Sequence, residues 1–91
     1  MDLKQISIEL HIHPRLENFD SNIIMIELPL DSTVKNMFET MCVRGGEDFE
    51  RRFYENGKCK ARVFLNEKLV NENTTIKDGD RIVLAPFIGG G

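Results

Sequence analysis

Three observations predict an α+β fold in which a sheet wraps around a helix. Apolar residues alternate in two runs near the N-terminus, the spacing turns helical after Asp31, and alternation returns from Ala61 onward. At 91 residues the chain is expected to form a single domain over 1–88 with a glycine tail at 89–91. A chain of this length buries about two-thirds of its unfolded surface, enough for one core without disulfide staples.

Each element has its own signature. Ile6, Ile8, Leu10 and Ile12 share one face and Ser7, Glu9, His11 and His13 the other, as in a strand covered on one side. After the turn-rich PRLENFDSN, Ile24, Ile26 and Leu28 oppose Met25 and Glu27 until Pro29, so the two runs should pair as a hairpin. In DSTVKNMFETM, Asp31, Ser32 or Thr33 can cap a helix whose core stripe is Val34, Met37, Phe38 and Met41. Gly45-Gly46 breaks this pattern. EDFERRFYENG then predicts a short second helix with Phe49 and Phe53 on one face and Gly57 as its C-terminal stop. Val63 and Leu65 point inward and Phe64 outward, with a tight turn at Asn66-Glu67. Lys77-Asp78-Gly79-Asp80 turns the chain into a last strand with Ile82 and Leu84 inward.

Composition excludes several function classes. The net charge is −3 and the twelve Lys and Arg are interspersed with acids, so no electrostatic footprint for nucleic acid is present. No apolar run approaches the ~20 residues that span a bilayer, and no secretory signal pattern opens the chain; a cytoplasmic location without membrane contact is expected. Cys42 and Cys59 lack metal-site spacing and are expected to be buried or half-buried free thiols. His11 and His13 share a face without a third ligand, which fits an exposed polar face better than a metal site. Neither cysteine sits in a nucleophile motif, and no catalytic cluster or P-loop is visible, so no catalytic residue of its own is expected.

The chain closes on APFIGGG. Glycines alone do not make a phosphate cradle, which needs a following helix and usually a lysine. Fraying or a leftover linker would leave the tail without function. A tail made for threading is the third reading: Gly89, Gly90 and Gly91 lack Cβ atoms and fit an extended path too narrow for side chains.

VFLNEKLVNENTTIKDGDRIVLAPFIGGG carries a resemblance that discriminates among these readings. Its strand ending in Asn, short strand, Asp-Gly-Asp turn, final apolar strand with a nearby proline, and terminal Gly-Gly resemble the MoaD/ThiS family of ubiquitin-like β-grasp sulfur carriers. The segment RGGEDFERRFYENGKCK resembles the longer molybdopterin-synthase type more than the shorter thiamine type. The chain departs from the family in having Ala85-Pro86-Phe87 where two prolines are common.

The resemblance implies a β-grasp fold: a mixed sheet of four to five strands on one main helix, with a short second helix. It implies a carrier rather than an enzyme. Gly91 would be adenylated by an E1-like enzyme using ATP and Mg²⁺, and a persulfide donor would convert it to a thiocarboxylate. The sulfur would then serve the large subunit of molybdopterin synthase in molybdenum-cofactor biosynthesis. Thiamine, tRNA thiolation, a tungsten cofactor, attachment to lysines as a ubiquitin-like modifier, and a plain interaction domain are the alternatives. No cofactor is expected to reside in the chain itself.

Sheet parity supplies a candidate partner interface. Phe64, Val83, Ala85 and Phe87 fall on the face away from the helix, with Leu69 nearby on the short strand, at a position matching the family's partner-facing one. The competing reading places Phe64 and Phe87 beneath the second helix or a loop.

Overall fold

The computed structural model describes residues 4–55 and 57–86. Strands β1 (Gln5–Ile12) and β2 (Ile23–Pro29) form the expected hairpin, followed by helix α1 (Val34–Phe53). The short strands β3 (Tyr54–Glu55) and β4 (Lys58–Cys59) pair with each other. β5 (Ala61–Leu65), β6 (Lys68–Val70) and β7 (Arg81–Pro86) complete a five-stranded mixed sheet of order β2-β1-β7-β5-β6. The last strand is the central one, parallel to β1 and antiparallel to β5.

The alternation read from sequence becomes the burial pattern. Ile6, Ile8, Leu10 and Ile12 of β1, Ile24, Ile26 and Leu28 of β2, Val63 of β5, and Ile82 and Leu84 of β7 are buried against the helix. α1 contributes Val34, Met37, Phe38, Met41, Phe49 and Phe53 to the same core. Thr33 caps the helix: its Oγ1 accepts the Asn36 N–H at 3.3 Å, while Asn36 Oδ1 accepts the Thr33 N–H at 2.8 Å. This reciprocal box satisfies two amide donors at the helix entry.

The glycine pair breaks α1 as expected, with a shorter second helical segment following the kink. Gly46 alone leaves helical geometry, at φ 63° and ψ −151°, where a side chain would be strained. Gly45 stays helical, and there a side chain is excluded by packing. A Cβ there would stand 2.7 Å from Phe49 Cβ and 3.3 Å from Leu16 Cδ1, so the β1–β2 connection lies directly on the helix.

One boundary differs from expectation. Gly57 does not stop a helix, because α1 already ends at Phe53 and Gly57, at φ 74°, lies in the β3–β4 connection. Two-residue strands contain too little alternation to be read against a helical pattern.

Candidate functional site: the outer sheet face

Two turns fix β7 in the middle of the sheet. The β5–β6 hairpin turns at Asn66 and Glu67, both at positive φ (48° and 74°), the geometry whose twist matches paired strands. Asn66 then joins this turn to the start of β7. Its N–H donates to the Arg81 carbonyl (2.8 Å), its Oδ1 accepts the Arg81 N–H (3.0 Å), and its Nδ2 donates to Asp80 Oδ1 (2.9 Å).

The Asp78-Gly79-Asp80 turn is anchored equally well. Asp80 Oδ2 accepts the Lys77 N–H (2.7 Å), and Gly79, at φ 84°, donates to the Ser7 carbonyl (2.8 Å). Asp78 Oδ1 accepts the Ser7 N–H (2.7 Å) and the Asp80 carbonyl accepts the Glu9 N–H (3.0 Å). The asparagine and the Asp-Gly-Asp run thus form one hydrogen-bonded latch that sets the position of β7 against β1 and β5. The described chain leaves this central strand at Pro86, opposite Ala61.

On the face away from α1, Phe64 sits between Val83 of β7 and Leu69 of β6 in register. Leu69 is 66% exposed and Val83 38%, while Phe64 is half-buried between them. Ala85, opposite Arg62, is also half-buried. Val83 lies about 10 Å from Pro86 along the strand, at the usual rise per residue. Phe87, Gly89, Gly90 and Gly91 lie outside the described residues.

The remaining candidate side chains are placed as follows. His11 is on the outer face with Nε2 2.9 Å from Glu9 Oε1. His13 falls beyond the end of β1 and pairs through Nδ1 with Asn22 Nδ2 at 2.9 Å, so the two histidines do not converge. Among the described residues, no group of three or more His, Cys, Asp or Glu is arranged to hold a metal ion. Cys42 and Cys59 are free and half-buried. Burial, reinforced by Glu50 and Glu39, pushes the Cys42 thiol up to about 11. Burial also raises Cys59, with Glu72 adding to it and a backbone hydrogen bond at Ala61 opposing. Neither thiol forms a ready thiolate at neutral pH.

One polar cluster has no counterpart in the sequence reading. The buried Asp48 carboxylate accepts the Glu17 N–H (3.0 Å) and pairs with Arg51 (3.1 Å) and Arg52 (3.2 Å). Arg52 in turn donates to the Pro14 and Arg15 carbonyls. The cluster straps the β1–β2 connection, including the fully buried Leu16, to the second half of α1. Leu16 and Phe19, the two large apolar residues inside a turn-rich segment, were the available signal.

A helix held by a mixed sheet with a central C-terminal strand defines a ubiquitin-like β-grasp protein. The ThiS family model matches residues 21–91, and the chain belongs to that family. Solved structures agree on the fold. The Haloferax volcanii HVO 2177 protein is 20% identical with a TM-score of 0.80, over 100% of this chain and 97% of that one. SAMP1 from Haloferax volcanii is 21% identical with a TM-score of 0.75, over 93% and 99%. A putative molybdopterin converting factor, subunit 1, from Pyrococcus furiosus is 21% identical with a TM-score of 0.71, over 89% and 97%. No curated protein matches the chain in sequence. Small carrier domains of the ThiS/MoaD type are in general non-catalytic and interact with E1-like enzymes and partner subunits. No helix among the described residues is long and apolar enough to cross a membrane.

Proposed function

We propose that the protein is a cytoplasmic sulfur carrier whose Gly91 carboxylate is the reacting group and whose outer sheet face docks the enzymes that use it. The observation that carries this reading is the exposed apolar patch of Val83 and Leu69 around Phe64, on and beside the central strand that leads toward the glycine tail.

The chemistry follows from the carboxylate. Its charge is delocalised and its leaving group would be oxide, so it must first be activated. An E1-like enzyme with Mg²⁺ATP forms the acyl adenylate and releases pyrophosphate. The terminal sulfur of a persulfide displaces AMP to give an acyl disulfide, and a thiol reduces its S–S bond to release the thiocarboxylate. Gly89 and Gly90 admit the tail to the partner's active site, Ala85 extends the docking patch, and Phe87 is assigned to the partner interface by its sequence parity alone.

Molybdopterin synthesis is the favoured destination, with this chain as the small subunit beside a large catalytic one. The length of the segment from Arg44 to Lys60 and the fold shared with the Pyrococcus furiosus protein support that choice. Attachment to lysines is the second reading, supported by the fold shared with a protein described as small archaeal modifier protein 1 from Haloferax volcanii.

A C-terminal extension tests the role of Gly91. A tagged protein shown by mass spectrometry to be unprocessed is expected to fold normally and fail to complement a carrier-deficient strain, whereas an N-terminal tag is tolerated. Full complementation by the extended protein would contradict the proposal.

A further inference from the structure

The strand register aligns one residue from every strand of the sheet into a single row on the outer face: Ile23, His11, Val83, Phe64 and Leu69. Ile23 and Met25 are exposed on β2, so apolar surface lies at both ends of the row. Between them stands a polar centre. In the adjacent row Glu9 lies between Met25 and Arg81, and its Oε1 is 2.9 Å from His11 Nε2. The two side chains retain 38% and 27% of their exposure. Among the described residues, no lysine or arginine forms an ion pair with Glu9, although Arg81 is its register neighbour.

A partner that covers the apolar row from Leu69 to Ile23 passes over this pair and removes the water that still solvates the carboxylate. An ionised carboxylate buried without a cation is strongly penalised, and one matched by a cation is not. We infer that the protein surface docking here carries an arginine or lysine seated against Glu9, which makes Glu9 a specificity-determining residue of the docking face. Apolar anchors accept many apolar surfaces, but a partner lacking the base leaves the covered carboxylate with only its contact to His11 and binds less well.

The inference rests on the docking role of this face, and the test separates the two. The full chain is titrated by calorimetry into the E1-like adenylating enzyme of the same organism, at low and high salt, as wild type, Glu9→Gln, Glu9→Lys and Leu69→Asp. Glu9→Gln keeps the side-chain shape and a hydrogen-bonding partner for His11. It is expected to weaken binding by about ten-fold or more at low salt and to flatten the salt dependence, with an unchanged thermal melt. Glu9→Lys is expected to lose more still, because it sets like charges against each other. If Leu69→Asp weakens binding while both Glu9 variants bind like wild type, the basic contact is wrong and the docking face stands. If all three bind like wild type, the docking face itself is wrong.

Discussion

The two faces of the sheet are written by the same strands in the same alternating code, yet they have different consequences. On β1, Ile6, Ile8, Leu10 and Ile12 are buried against α1, while Ser7, Glu9 and His11 look outward. On β7, Ile82 and Leu84 are buried while Arg81 and Val83 are exposed. The inward positions Ile6, Ile8, Leu10 and Ile12 of β1 and Ile82 and Leu84 of β7 are all apolar and buried. The outer face mixes exposed Ile23, Met25, Val83 and Leu69 with Glu9, His11 and Arg81. Exposed apolar side chains gain little on folding because they stay in water, so their stabilising value becomes available only when a partner covers them. Stability and recognition are therefore separable by parity along a single strand.

Breaking the inner face has the larger effect. Leu10→Ala removes a fully buried side chain and should cost about 2–5 kcal/mol of stability. For a domain of this size each kcal/mol shifts the melting temperature by roughly 4–8 °C. A thermal melt reads this directly, and the fraction that remains folded should bind its partner with unchanged affinity. A smaller effect of the opposite kind is expected outside. Leu69→Asp should weaken partner binding by about 2 kcal/mol or more if Leu69 is an anchor, while stability stays within about 0.5 kcal/mol. Calorimetry beside a melt distinguishes the two. A collapsed melt for Leu69→Asp would show that the faces are not separable.

Sequence legibility follows the same division. β1, β2, β5 and β7 were readable because one face is buried and the other is not, which imposes a period of two. The helical stripe from Val34 to Met41 was readable for the corresponding reason at its own period, and Thr33 proved to be the cap among three candidates. The Asn66-Glu67 turn and the outward parity of Phe64, Val83 and Ala85 were also legible. What escaped depends on contacts between distant residues. Asp48 stands in sequence between Glu47 and Glu50 with nothing to set it apart, and only the fold brings the Glu17 N–H, from another segment, onto it. Asn66 and Asp80 are recognisable as parts of a pattern, but that they bond to each other emerges only from the fold. The β3–β4 hairpin escaped because its strands are two residues long.

The central claim, that this fold exists to present a glycine carboxylate for sulfur loading, is tested most directly by the intact mass of the protein. Incubated alone with Mg²⁺ATP and a persulfide source, the chain should remain unchanged. With its E1-like enzyme added, its mass should rise by the difference between one sulfur and one oxygen, confined to the peptide that contains Gly91. Gly90→Val should block that rise by obstructing the path of the tail, although the reacting carboxylate is untouched. Lysine-linked conjugates of larger mass in place of the shift would move the protein to the modifier reading. No mass change with any E1-like enzyme of the organism would contradict the account.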